Sequence, residues 1–571
     1  MSANKKLKLL VKRLAFLTPI LFLGISLSSG IAYASSPGYA ATNVLGQTDG
    51  SGNPSFTTDT TDNGKSPIDG TSMDYPEGTA IDLVHHRLFV ADCGNNRVLV
   101  FNLDNSNNPT STAANYVLGQ TSLSGSNQGS GNSGMNCPED PTYDPADNWL
   151  FVADTGSSRS RILVYDLSNG ITDGMPASYE LGQSSFAGGG CDYQGSPTAY
   201  DMCDAYGGLA YDTVHHRLFV GDAGNNRILV FNMTNGITSG MPASYAIGQP
   251  STNSDGCSSI SATTMGEPFG IVYDAAHNRL FVGDEGNCSS TVVARVDVYN
   301  MNNLATGMAA SYALGQPDLQ TGGIRSPAAN VIANPEDLIY DSTDQELFVQ
   351  DDTYNRILVF DVSSITDNEN AIAVLGQPDF TSDDYSCATS QTDMCDAEGV
   401  DDSFDPVNHR LYLSDAGDDR ILIFNFVNIT TPAGLLKSAT AGTSYSQTFQ
   451  TTNSQGTVTF AVTGGSLPPG LNLNASNGVI NGTPTTSGTY TFEITAYDNN
   501  GTVGTFEDDP SYTITVGSGA SIGSSSSAFP PDTGYGKPVN HTAVYAIFTV
   551  SFVSIIIGSS KLLIKKKHLS K

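Results

Sequence analysis

Lysine is almost missing from the body of this 571-residue chain. Between Arg13 and Lys561 the only lysines are Lys65, Lys437 and Lys537, whereas Asp and Glu together number 57 and the formal net charge is −32. A surface so short of cations repels phosphate backbones, which excludes nucleic acid as a partner. The same charge favours solubility and attracts divalent cations. Neither a His-Glu-x-x-His motif nor a Gly-x-Ser-x-Gly elbow set between strand and helix occurs, so two common hydrolase signatures are missing. No Cys-x-x-Cys spacing occurs either, which argues against a zinc site.

The basic residues gather at the two ends. Lys5–Arg13 leads into a mostly apolar stretch, Leu14–Ile31, and then the small-x-small sequence Ala32-Tyr33-Ala34. This is the layout of a secretory signal, so residues 1–34 are read as a signal peptide. At the other end Val544–Ile557 is apolar and Lys561–Lys571 is basic. That predicts a C-terminal transmembrane helix within an anchor over residues 541–571, its positive tail inside. Just upstream, Pro531-Asp532-Thr533-Gly534 resembles the Leu-Pro-x-Thr-Gly sorting signal of sortase-anchored wall proteins, with Pro530 where that family has Leu. The resemblance implies a sortase as partner; a plain membrane anchor explains the apolar span and basic tail equally well. On either reading the bulk of the chain is secreted and displayed at the cell surface.

Within that body one text recurs. His215–Asn232 is two apolar runs around a turn rich in Gly and Asn, which is the pattern of a β-hairpin. It returns at His85–Asn102 and, more loosely, at Asn148–Asp166, Asn278–Asn300, Gln345–Asp361 and His409–Asn425. A short strand closed by Asp, such as Gly78–Asp82, precedes each hairpin, and a strand ending in Gly-Gln follows every hairpin but the last. Four antiparallel strands repeated six times predict an all-β fold, a six-bladed β-propeller over residues 43–427. The first Gly-Gln strand, Val44–Gln47, comes before any blade. It is expected to pair with Ile421–Phe426 and close the ring, because an unclosed array leaves unpaired edge groups.

These blades resemble the NHL repeat family of TolB-like propellers, whose repeats carry a Pro-x-Gly-apolar strand and then apolar-Asp-x-Gly-Asn-x-Arg-apolar. The match is strongest in the first, third and sixth blades. In the second, Ser157-Ser158-Arg159-Ser160 replaces the Asn pair, and in the fourth Cys288 to Ala294 lengthens the turn. The resemblance implies a propeller used for binding or, in a minority, for catalysis. Asp92, Asp154, Asp222, Asp284, Asp351 and Asp415 precede the hairpin turns, and Arg97, Arg161, Arg227, Arg295, Arg356 and Arg420 follow them. Every blade has the pair, so it is read as turn chemistry rather than a catalytic set. His85, His86, His215, His216, His277 and His409 recur in the turn at the opposite end of the hairpin and are read as solvated turn residues.

The chain changes character at Thr431. Alternation over Tyr490–Ala496 and short strands at regular spacing predict a β-sandwich over residues 431–516. Leu467-Pro468-Pro469-Gly470-Leu471, Gly478–Pro484 and Gly488–Asp498 resemble the bacterial putative immunoglobulin, cadherin-like domain. Residues 517–540 are rich in Ser, Gly and Pro and read as a stalk.

The residues that depart from the repeat are the candidates for function. Cys93, Cys137, Cys191, Cys203, Cys257, Cys288, Cys387 and Cys395 all lie in connections at one end of the propeller. Their even number in a secreted chain points to disulfides. Proximity favours Cys93–Cys137, Cys191–Cys203, Cys257–Cys288 and Cys387–Cys395. Glu77, Glu139, Glu336 and Glu398 stand where four of the innermost strands begin, at the channel mouth, and their oxygens suit Ca²⁺. In the sandwich Asp498, Asn500, Asp508 and Asp509 resemble part of a cadherin-like Ca²⁺ site. Together these features read as an envelope-anchored binding or adhesion protein rather than an enzyme, presenting one face to an extracellular glycan, peptide or cell-surface ligand. The competing reading is a surface hydrolase or lyase with a metal in the central channel.

Overall fold

The computed structural model describes residues 39–519 apart from 157–158, 187–189, 191–196, 384–388, 393–401 and 500–504. The signal segment 1–34, the sorting motif Pro531 to Gly534 and the anchor 541–571 lie outside the described residues. Among the described residues no helix is long and apolar enough to cross a membrane.

Six four-stranded antiparallel sheets make up the larger part of the fold. In blade 1 strands a to d are Pro76–Asp82, Arg87–Asp92, Arg97–Asn102 and Tyr116–Leu118. Blades 2 to 5 repeat the order, with strands a at Pro138–Asp144, Leu209–Asp212, Pro268–Asp274 and Pro335–Asp341. Each strand a touches strand a of the next blade, and the sixth, Ser403–Asp405, touches the first, so the sheets close a ring. Packing between two neighbours buries both faces of a sheet. That is why Arg87–Asp92 is buried at every position, and why it reads as an apolar run without alternation. One contact is repeated between blades: a Phe of strand b meets an aromatic of the next strand a, as in Phe151–Tyr211 at 5.3 Å and Phe219–Tyr273 at 5.5 Å between centroids. Such pairs add ~0.5–1.5 kcal/mol each beyond burial.

The ring is closed by the N-terminal strand. Asn43, Val44 and Leu45 pair antiparallel with Ile423, Leu422 and Ile421, so the fourth strand of blade 6 comes from the start of the chain. The strand is shorter than the expected Val44–Gln47, because Gly46 turns the backbone to φ 89°. A Cβ there would lie 2.7 Å from Met73 Sδ and 2.8 Å from Asp419 O, so only Gly fits. Gln47 then donates through Nε2 to the carbonyl of Asp419 at 3.2 Å. The other Gly-Gln strands do the same at their own turns: Gln120 to Asn96 O and Gln249 to Asn226 O, at 2.9 and 3.0 Å.

Each hairpin turn is fixed by a buried ion pair. Arg97 Nε donates to Asp92 Oδ2 at 2.7 Å, Arg227 Nε to Asp222 at 2.6 Å and Arg420 Nε to Asp415 at 2.7 Å. Arg161–Asp154 and Arg356–Asp351 repeat the pair, while in blade 4 Arg295 sits 2.7 Å from Asp297 and 3.7 Å from Asp284. The second Asp oxygen accepts a backbone N–H from the incoming loop: Asp74 at 2.9 Å, Asn136 at 2.7 Å and Cys203 at 2.6 Å. The remaining guanidinium N–H groups donate to loop carbonyls, such as Ser72 O from Arg97 and Val331 O from Arg356, both at 2.8 Å.

Behind the ring two sheets form a sandwich. Thr457–Gly465, Gly488–Asn499, Thr505–Asp508 and Ser511–Gly517 lie in one, Tyr445–Thr448, Leu471–Asn474 and Val479–Gly482 in the other. Phe460, Ile480, Ile494, Tyr512 and Ile514 make its core.

Two measurements check this account. Deleting residues 39–47 removes buried Tyr39, Val44 and Leu45, apolar side chains worth ~1.5–3 kcal/mol apiece. It should lower the melting temperature by several degrees in thermal denaturation; an unchanged value would mean the ring does not depend on that strand. Arg227→Ala strands the Asp222 charge in the interior and should cost ~3–5 kcal/mol in urea unfolding.

Candidate functional site

The recurrent polar residues are consumed by structure. The six Asp–Arg pairs hold turns and loops, as described above. At the other end of the hairpins the histidines cap a–b turns: His85 Nδ1 lies 2.9 Å from Asp82, and His215 and His277 lie 2.8 Å from Asp212 and Asp274. Their side chains are half exposed, as turn residues should be. His409 is the exception. It is buried, with Nδ1 3.2 Å from Asp344 and Nε2 3.5 Å from Asp508 of the sandwich. Reading it as solvated is therefore corrected: the sandwich covers that turn, and reaches Asp344 in the a–b turn of blade 5 as well.

The glutamates at the innermost strands stand at irregularities. Strand pairing skips Glu77 between Pro76 and Gly78, and skips Glu336 between Pro335 and Asp337. In blade 2 the gap takes in Glu139 and Asp140. A β-bulge turns a side chain away from the regular alternation, and such bulges cluster near functional sites. All three glutamates are buried, at 0, 1 and 5% exposure for Glu77, Glu139 and Glu336, so they do not point into solvent. Glu398 lies outside the described residues. Glu139 Oε2 has no hydrogen-bond partner. The Glu139 charge, after burial itself, raises the Asp204 carboxyl of blade 3 above its ordinary range. Glu77 sits beside Cys93 and Cys137. Those two sulfurs are joined to each other, so they offer no thiolate and this group is not a metal ligand set.

A second polar group was not singled out from the sequence. Asp337 and Asp402, from blades 5 and 6, are buried neighbours: the Asp402 N–H donates to Asp337 Oδ1 at 3.2 Å. Ser414 Oγ donates to Asp402 Oδ1 at 2.9 Å, and Thr79 and Ser403 exchange a hydroxyl bond at 2.8 Å. Burial first, and then the Asp337 charge, hold the Asp402 carboxyl well above the usual carboxylate range. Opposite Asp337 in the ladder stands Gln350, 1% exposed, with neither amide atom hydrogen-bonded. The other five blades have Ala91, Ala153, Gly221, Gly283 and Ser414 at that position. One long amide among five small residues was the available signal. An unsatisfied buried amide beside a carboxyl pair calls for a water or a ligand group.

The cysteines bridge neighbouring connections. Cys93 is joined to Cys137 and Cys257 to Cys288, the two pairings expected between a turn and an adjacent loop. Cys203 is also disulfide-bonded, and Cys191, Cys387 and Cys395 lie outside the described residues. In the sandwich Asp498 is taken up by its own backbone, accepting from Gln455 N at 2.7 Å and Gly456 N at 2.8 Å. Asp508 and Asp509 turn instead toward the propeller, where Asp509 N donates to Asp344 Oδ1 at 3.3 Å. Asn500 lies outside the described residues. Among the described residues, Asp498 and the Asp508–Asp509 pair thus meet different partners.

Residues 73–101 match the NHL repeat model, and residues 427–517 match the model described as Putative Ig domain. Comparison with curated proteins gives no match. Among solved structures, a gluconolactonase from Xanthomonas campestris aligns at 13% identity over 69% of this chain and 98% of its own, with a TM-score of 0.34. The Kuenenia stuttgartiensis hydrazine synthase aligns at 12% identity over 62% of this chain and 96% of its own, with a TM-score of 0.36. A putative alpha-galactosidase from Bacteroides fragilis aligns at 24% identity over 16% of this chain, with a TM-score of 0.13, and the chain spans only 17% of its length. The chain thus carries an NHL repeat within a ring of six four-stranded blades, and a Putative Ig domain behind it.

Proposed function

We propose that the chain is an extracellular, surface-anchored binding protein, and that the face bearing the disulfides is where it takes a glycan, a peptide or another cell-surface ligand. One observation carries this reading. The repeated Asp, Arg and Gln side chains are engaged in holding turns, while variation between blades is concentrated in the long connections from strand d to strand a. Loops of that length in a compact fold are usually functional. Two of them present large apolar side chains to water, Tyr200 at 56% and Ile324 at 55% exposure. Disulfides at Cys93–Cys137 and Cys257–Cys288 fit an oxidising compartment and hold such loops in a binding-ready form. The signal peptide, the stalk and the anchor, membrane-spanning or sortase-processed, belong to the same proposal.

A second reading, a hydrolase acting in the channel, is favoured by the Asp337–Asp402 pair with the unsatisfied Gln350 beside it. Two buried carboxyls side by side, one raised by burial and by the charge of the other, are a common way to place an acid and a base together.

Screening the full-length chain against glycan and peptide arrays tests the first reading. Binding is expected, and Tyr200→Ala with Ile324→Ala should reduce it about tenfold or more while leaving the melting temperature unchanged, as for aromatic anchors elsewhere. No ligand on either array, together with turnover of an ester or lactone panel that Asp402→Asn abolishes, would favour the second. The sign of the Asp402 effect on stability is fixed independently. Its folded-state pKa is raised, so its contribution is fully present below the unfolded value and is lost as pH rises through the folded one. Asp402→Asn removes that loss. Its melting temperature should exceed that of the parent chain more at pH 8 than at pH 4.

A further inference from the structure

At the end of blade 5 that meets the sandwich, the repeat reverses its charge. Blades 1, 3 and 4 begin strand b with Arg87, Arg217 and Arg279, whose Nε atoms donate across the a–b turn to Asp82, Asp212 and Asp274 at 2.7, 2.8 and 2.8 Å. Arg87 and Arg217 also reach Asn148 and Asn278 of the next blade, at 2.9 and 3.2 Å. In blade 5 the Arg position is Glu346, opposite Asp341 in the ladder. In blade 6 the Asn position is His409. A carboxyl group faces a carboxyl group where blades 1, 3 and 4 have an ion pair.

The sandwich adds acid to this place. Asp508 approaches His409 Nε2, Asp509 N donates to Asp344, and Glu507 precedes them. Asp341, Asp344, Glu346, Asp508 and His409 are all between 1 and 6% exposed. Among the described residues, His409 is the only basic side chain ion-paired with any of them. Each Asp has one oxygen fixed by a backbone N–H: Asp341 Oδ1 by Thr343, Asp344 Oδ1 by Asp509, and Asp508 Oδ2 by Ile429. The donor atoms that Asp341, Asp344 and His409 offer lie within 4.8 Å of one another. Glu346 supplies the independent sign of a missing partner. Its Oε1 is buried without any hydrogen bond. The side chains around it, Asp341 across the ladder and Asp344 in the same turn, are carboxyls like its own.

Leaving charges buried and uncompensated is among the most expensive things a fold can do. We propose that the seam between propeller and sandwich binds one divalent metal cation through Asp341, Asp344 and His409 of the propeller, with Glu346 facing Asp341 beside them and Asp508 of the sandwich holding the far edge of the imidazole. The donor set is mostly carboxylate oxygen with one imidazole nitrogen, which suits Ca²⁺ or Mn²⁺ and admits Zn²⁺. The bound ion neutralises the reversed charge of blade 5, and Asp508 ties the sandwich to the site through the His409 ring.

The test strips the full-length chain with EDTA and titrates it with CaCl₂, MnCl₂ and ZnCl₂, reading calorimetric heat and melting temperature. At least one ion should bind saturably, one per chain, and raise the melting temperature by roughly 3 °C or more. Glu346→Gln and Asp344→Asn should each weaken binding about tenfold or more. In the metal-free chain Glu346→Gln should raise the melting temperature, because one of several like charges is gone; a variant that merely damaged the fold would lower it. Asp402→Asn, in the inner strands, should leave the affinity unchanged. The proposal is overturned if no ion binds saturably below about 1 mM. It is equally overturned if the two seam variants bind as the parent does, or if binding is lost in Asp402→Asn instead.

Discussion

The buried Asp–Arg pair is the interaction on which the rest of this molecule depends. A propeller blade is a small sheet whose turns would be loose if left to Gly and Asn alone. Here each turn is gripped from inside by a carboxylate that also holds the incoming loop, and by a guanidinium that reaches the loops on both sides. Such a pair gains little over an apolar equivalent of the same shape, yet breaking it is costly. Its value lies in geometry. Six copies fix the positions of six loop sets, and a rigid ring can then carry connections far longer than a small sheet would tolerate.

That repetition explains why so much of the fold could be read from residues alone. Strand number, blade order and the pairing of the first strand with the last blade follow from a text that recurs with fixed offsets. The candidate site is different, because it is made of departures from the text. Glu77, Glu139 and Glu336 were visible as glutamates following a proline, but their burial depends on bulges that no periodicity announces. Asp402 and Gln350 were hidden in plain composition. Only the alignment of six strands b shows that five carry a small residue where one carries an amide.

His409 shows the same limit from another side. In sequence it belongs to a family of turn histidines, and in four of the other blades the corresponding turn is open to water. A second domain leaning on the turns of blades 5 and 6 converts an ordinary side chain into a buried link between two acids. The decisive information is tertiary: which turn the sandwich covers. Phe426 and Phe506, 5.0 Å apart across the same seam, show that apolar packing accompanies the acidic cluster there.

The closing strand has a consequence for how the molecule is made. Asn43 pairs with Ile423, so this strand is synthesised long before its partner exists and waits for nearly the whole propeller. Blades 1 to 5 draw every strand from adjacent sequence and can form in order as they emerge. Blade 6 cannot, and until Ile421 is added the growing chain carries an unpaired strand edge at each end of an incomplete ring. Closure is therefore a late, all-or-none event of high sequence separation, slow by its topology. A chain truncated anywhere before Ile421 lacks the partner of Val44 and Leu45, and leaves open the very edge that the finished protein hides.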